Sequence, residues 1–475
     1  MLTCRSYAIT TVCMLFFLAL VLLASPVSYA HNAFTGGGGD LSRVAQPFPY
    51  PGNVADWASG QTADASVLVW GDGAPGLQHV LDALRVPYSV GTNMGPARVV
   101  IVDGALADGD IPRLRLFAQR GGQIIFMALP QDIPPDLACL LGVAALGERV
   151  AAQALHIYEG IFPFGAFVSN AFPFEVQAVA LDPRTKVYAQ GFTAEARAVP
   201  VIWRRSLPHG AVYVVNAPFL ERSKAMGILA GLLALALDDF IYPIVGTHTV
   251  LLLGFPFAVQ DEMAYGRTVL GFARDIVWPT LARHAQVFGL VYAAFAGDTA
   301  LPAAEAHFFS HALHIMRGGT LHLYPAPHTA FPDFFQNPEA ARFALHSQAA
   351  AAGWVFLPLD MAPLSVYAEW HAAAQGLHGL FAEAAFPALE AANFYQAAQA
   401  MENYLQVVFR VDYAPEYVAV AMDSHHAPVA FLFRTRRAVN IPAAESVDIQ
   451  RIAPGVYVVR AAGSFVLPLQ ERGCP

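Results

Sequence analysis

Residues 247–257 read THTVLLLGFPF, a Thr-His-Thr opening and the apolar run 250–253, which stops at Gly254 and meets a proline at position 256. A short apolar run closed by turn residues reads as a strand buried on both faces, with a loop at its carboxyl end. Three later runs share this character: VFGLVYAAF (287–295), GTLHLYP (319–325) and WVFLPLD (354–360). Helical stretches are expected near 264–285, 302–316, 337–351 and 364–382. Strand–helix alternation of this kind predicts a parallel sheet covered by helices. Four such units are fewer than a closed eight-stranded barrel requires, so residues 244–412 are expected to form an incomplete (β/α) barrel-like domain.

The same alternation appears upstream. SVLVW (66–70), ARVVIV (97–102) and GQIIFMAL (122–129) read as strands, with helices near 77–84 and 110–119. A β-rich section follows with VQAVAL, KVYAQGF, VPVIWRR and AVYVVNAPF, and then MGILAGLLALAL (226–237). That last helix is apolar on all sides but too short for a bilayer, which predicts burial against a sheet. Residues 64–243 are thus expected to form an α/β domain with a parallel sheet. Residues 413–475 hold YVAVAMD, VAFLFRT, SVDIQRI, GVYVVRA and SFVLPL, a spacing that predicts a small β module. DDF (238–240) reads as a helix end and DSHH (423–426) as a polar hairpin turn.

At the N-terminus, Arg5 precedes the apolar run 8–24, and Ser28 and Ala30 fit cleavage after Ala30. Residues 1–30 therefore read as an export signal, and 31–63, rich in Gly and Pro, as a flexible linker. The expected location is periplasmic or secreted, with membrane contact only through an uncleaved N-terminal segment. Of the four cysteines, Cys139 and Cys474 remain in the mature chain; their pairing stays open, and a buried Cys139 is the simpler reading. The net charge of -9 and the lack of a basic stripe exclude nucleic acid as a partner.

Several constellations could bear chemistry. Gly71, Gly73 and Gly76 in WGDGAPG have GxGxxG spacing, but PYSVGTNM downstream supplies no acid for a ribose, so no nucleotide is expected. His307, His311 and His314 fall at i, i+4 and i+7, a spacing that could grip a metal if the segment is helical. The strand ends of the second series bring further candidates to one face: Gly254 with Asp261 and Glu262 beyond it, Asp298, His322 with His328, and Asp360. Phe255, Phe257, Tyr324 and Trp354, at or near strand ends, are aromatic candidates for stacking on sugar rings, beside the simpler reading of core packing.

At these residues the chain resembles an uncharacterised bacterial family of exported proteins, a domain-of-unknown-function family. That family joins a flavodoxin/amidotransferase-like α/β domain to a polysaccharide-deacetylase-like barrel. The likeness covers about 66–470 and rests on ordered segments: ARVVIVDG with FAQRGGQIIFMAL, PVIWRRSLPHGAVYVVNAPF with KAMGILAGLL, IYPIVGTHTVLLLGFPF with RDIVWPTLARHA, GGTLHLYPAPH, and a tail ending in IAPGVYVVRAA. The resemblance implies a carbohydrate site in which an aspartate pair ends the first barrel strand and paired histidines follow the third. Here Leu253-Gly254 stands in place of Asp-Asp, and His328 follows His322 by six residues, with alanine at 326. The expectation is a degenerate, non-catalytic envelope protein without a cofactor, binding an envelope polysaccharide or a protein partner. The alternative is a residual zinc deacetylase with His322, His328 and Asp360 as ligands and Asp261 or Glu262 as base.

Overall fold

The computed structural model describes residues 66–471 except 72–74, 105, 108, 131–132, 218–225, 257–262, 265–266, 296–307, 310–313, 317–336, 362–363, 365–366, 387, 423–426, 438 and 442–446. The described residues lie in one compact unit, Thr62–Pro475. Among them no helix is long and apolar enough to cross a membrane.

The protein is a mixed α/β structure organised by two parallel sheets. In the first, the parallel strands run in the order Tyr88–Gly91, Val67–Trp70, Val99–Val102, Gln123–Phe126, Ala211–Val215. Apart from the edge strand Tyr88–Gly91, these are short apolar runs, buried on both faces because alternate side chains enter two separate cores. Val67, Val69, Val99, Ile101, Ile125 and Tyr213 point one way; Leu68, Val100, Ile124, Phe126, Val212 and Val214 point the other. The sheet continues with antiparallel strands Ala198–Ser206, Thr185–Thr193 and Val143–Ile157, and Phe167–Ser169 and Phe174–Leu181 pair with the last of these to make ten strands.

Helix Met226–Ala236 is buried on almost every side, as its uniform apolarity predicts. Two glycines let neighbours press onto it. A Cβ at Gly227 would lie 2.5 Å from the Ser347 carbonyl oxygen, and one at Gly231 would collide with the Ile161 carbonyl. The Gly227 N–H also donates to Ser347 Oγ at 3.1 Å, which fixes the helix against helix Pro338–Ala352.

The second sheet holds four parallel strands in the order His314–Met316, Tyr292–Phe295, Thr247–Leu253, Trp354–Asp360, and Glu390–Ala391 pairs with the amino end of Thr247–Leu253. Two details differ from the sequence reading. Residues 287–288 belong to helix Trp278–Phe288, which ends at Gly289 in the left-handed region (φ 64°), so the strand starts only at Tyr292. Residues 314–316 are a strand rather than the end of a helix, because they pair with Tyr292–Phe295. Residues 319–325 lie outside the described residues.

The third part is a pair of antiparallel sheets, one of four strands and one of three, closing on a core that includes Val418, Val420, Phe431, Phe433, Val459 and Leu467. Its four-stranded sheet includes Asp239–Ile244, which pairs with Val429–Thr435. DDF is thus the start of a strand and not a helix end, held by an ion pair from Asp239 to Arg437 at 2.5 Å.

Buried cations tie the parts together. Arg434 is buried and donates to the carbonyls of Ile161 (3.0 Å) and Gly160 (2.5 Å). Arg85 donates to the carbonyls of Tyr404 and Val407 at the carboxyl end of helix Phe394–Gln406, where a cation also meets the negative end of the helix dipole. Burial lowers the Arg85 guanidinium to about 10. Cys139 is exposed, contrary to the buried reading, because helix Pro135–Leu141 turns Leu137, Leu140 and Leu141 inward instead.

Candidate functional site

In an open parallel sheet, ligands bind outside the carboxyl ends of the strands, where neighbouring strands connect in opposite directions. The first sheet has such a point between Val67–Trp70 and Val99–Val102. The chain's own side chains bridge that edge: the Arg113 guanidinium lies 5.0 Å over the Trp70 ring, and Asp110 Oδ2 is 3.4 Å from Trp70 Nε1. Gly71 follows with φ 82°, its N–H bonded to the Gly91 carbonyl, and Gly73 lies outside the described residues.

The second sheet reverses direction between Thr247–Leu253 and Trp354–Asp360. Register makes Leu253 the direct neighbour of both Asp360 and Phe295, and Phe295 the neighbour of Met316. The Met361 N–H donates to the Leu253 carbonyl at 2.9 Å, extending this pairing by one residue. Gly254 then takes a left-handed conformation (φ 67°), which turns the chain off the sheet at small steric cost. Asp360 is exposed at this edge.

The aromatic candidates point elsewhere. Phe255 is fully buried and meets Phe309 edge-on at 5.5 Å, so its faces are not open to a sugar ring. Trp354 is buried at the amino end of its strand, paired with Thr247, the far end from Asp360. Of the histidine trio, His314 is in a strand, so no single helix carries all three. His307, His311, Asp261, Glu262, Asp298, His322, Tyr324, His328 and Phe257 lie outside the described residues, as does DSHH.

Two polar clusters here have no signal in the sequence. Arg342 is gripped by Glu383 and Glu339, with Nε 2.7 Å from Glu383 Oε2 and Nη1 2.7 Å from Glu339 Oε2, and lies 5.7 Å over the Phe167 ring. His346 Nε2 is 3.7 Å from Glu383 Oε2, with Phe162, Phe167 and Phe386 around the imidazole. Burial pushes the Glu383 carboxyl up, but hydrogen bonds from His346 and Arg342 outweigh it and hold the group below the ordinary range. The second cluster pairs His284, on helix Trp278–Phe288, with His378, on helix Tyr367–Ala384, their ring centroids 5.5 Å apart. Neither pair could be read from spacing, because each joins separate helices. Among the described residues no group of three or more His, Cys, Asp or Glu side chains is arranged to hold a metal.

Comparison with known proteins gives a family match and remote structural likenesses. Residues 83–312 match the family described as "Uncharacterised protein conserved in bacteria (DUF2194)". No curated protein matches the sequence. Among solved structures, Agd3, described as a novel carbohydrate deacetylase, is similar at 8% identity and TM-score 0.48, covering 85% of this chain and 98% of its own. A β-galactosidase from Rahnella sp. R3 is similar at 15% identity and TM-score 0.28, over 35% of this chain. The β-galactosidase Gan42B from G. stearothermophilus, as a catalytic mutant, is similar at 10% identity and TM-score 0.27, over 86% of this chain and 40% of its own. The chain spans 30% of the length of the Rahnella enzyme.

Proposed function

We propose that the chain is an exported, non-catalytic envelope protein that binds a polysaccharide at the carboxyl edge of its second parallel sheet. The observation supporting this reading is the register at that edge: Leu253, standing where a deacetylase-like barrel needs an acid, is the neighbour of exposed Asp360 and is followed by Gly254. Metal-assisted hydrolysis needs a base and an ion to polarise the carbonyl. A leucine side chain and a glycine can neither accept the proton nor ligate the ion. A carboxylate at a sheet edge can still accept hydrogen bonds from sugar hydroxyls, and such binding requires no cofactor. The export segment 1–30 would bring the chain to the envelope, where that ligand is found.

The test is binding of the purified chain to acetylated and deacetylated envelope polysaccharides, with acetate release followed in parallel. Expected are saturable binding, a tenfold or greater loss of affinity in Asp360→Ala with the fold intact, and acetate release no faster than in buffer. Zinc-dependent release that disappears in His322→Ala would replace this reading with the residual deacetylase. Absence of binding to every polysaccharide would overturn the glycan assignment.

A further inference from the structure

We propose that His284 and His378 are the protein ligands of a zinc site that staples together two helices from opposite limbs of the second sheet. Helix Trp278–Phe288 connects Thr247–Leu253 to Tyr292–Phe295, whereas helix Tyr367–Ala384 follows Trp354–Asp360. The two helices therefore belong to the two sides of the point where the sheet reverses, and they meet at these imidazoles. The rings are 5.5 Å apart between centroids and inclined by 56°. Two imidazoles that share one zinc at the usual metal–nitrogen distance of about 2.0–2.1 Å have centroids about 5–6 Å apart.

A second observation points to a ligand. His284 is 7% exposed, and its Nδ1 is buried with no hydrogen-bond partner among the described residues. A buried nitrogen left unpaired costs free energy, and donating its lone pair to an ion would remove that cost. Phe381 lies against His284 (5.4 Å) and Phe288 against His378 (5.0 Å), so the pair is walled by two aromatic rings. With two protein ligands, a tetrahedral zinc keeps two positions for water or a small ligand.

Neither histidine is among the residues the carbohydrate reading uses, so the fate of this site is independent of that reading. The experiment titrates the chelator-stripped full chain with zinc chloride, following bound equivalents by calorimetry and the melting temperature by circular dichroism. In the wild type, zinc should raise the melting temperature, since an ion that binds only the folded state stabilises it. His284→Phe and His378→Ala should each bind one equivalent fewer and lose that rise, while His322→Ala keeps it. His378 is exposed, so His378→Ala retains the fold and decides the matter if His284→Phe does not fold. Equal stoichiometry in wild type and His378→Ala, or no zinc-dependent rise in the wild type, overturns the proposal.

Discussion

The two parallel sheets treat their buried ring nitrogens in opposite ways. In the first, Trp203 is wholly buried and its indole N–H donates to the Leu141 carbonyl at 2.9 Å. Tyr213, on the next strand, donates to the Leu235 carbonyl at 2.6 Å. In and around the second sheet, Trp354 Nε1 and the Nδ1 atoms of His248, His284 and His346 are buried without a hydrogen-bond partner among the described residues. An apolar side chain at any of these four positions would avoid that desolvation penalty. The first sheet therefore pairs its buried indole nitrogen, whereas hydrogen bonding among the described residues leaves these four nitrogens around the second sheet unpaired, although the Tyr292 hydroxyl there donates to the Leu281 carbonyl at 3.0 Å.

The largest effect that would break this contrast is expected at Trp203. Trp203→Ala removes a fully buried indole and strands the Leu141 carbonyl, and should cost about 3–5 kcal/mol in denaturant unfolding. A loss below about 1 kcal/mol would show that the first sheet does not depend on this anchor.

Next in size is the acid response of the second sheet. Burial lowers the His248 imidazole to about 4, against an ordinary value of 6.5. Between these two pH values the unfolded chain binds more protons than the folded one, so stability falls as pH falls. The contribution is intact above about 6.5, and about 3 kcal/mol of it is gone near pH 4. His248→Leu should flatten this limb of the stability–pH curve while leaving stability at pH 8 equal or higher. If the variant and the wild type lose stability in parallel from pH 6.5 to pH 4, His248 is not the group responsible.

Legibility in the sequence follows the same division. The strands Val67–Trp70, Val99–Val102 and Gln123–Phe126 stand out because double-sided burial demands continuous Val and Ile. Val143–Ile157 does not stand out: VAALGERVAAQALHI has the alanine, glutamate and arginine content of a helix and becomes a strand only through pairing with Phe167–Ser169, Phe174–Leu181 and Thr185–Thr193. His314–Met316 and Asp239–Ile244 are likewise hidden, since each owes its form to pairing with another strand, the second with one nearly 200 residues on. At the candidate site, Leu253-Gly254 and Asp360 were legible as strand ends. Their adjacency was not, because it depends on Trp354–Asp360 pairing beside the first strand of its series rather than beside the third. For Phe255 the sequence left stacking platform and core packing side by side, because an aromatic at a strand end carries no mark of which way the following turn sends it; the structure buries it.

The smallest expected effect gives the sharpest test of the contrast. Trp354→Phe keeps a large ring next to Phe356, which the indole meets at 5.4 Å, and removes the pyrrole part of the indole together with the N–H that lacks a partner among the described residues. Its stability should stay within about 1 kcal/mol of wild type, because lost apolar area is offset by relief of a buried unpaired donor. Trp203→Phe loses the same atoms but also the bond to Leu141, so it should cost about 1–3 kcal/mol more than Trp354→Phe. Measuring the two substitutions in one denaturation series cancels the difference in ring size. Equal losses at the two positions would mean that Trp354 Nε1 has a partner in the folded protein, and the unpaired nitrogens of the second sheet would then no longer set it apart from the first.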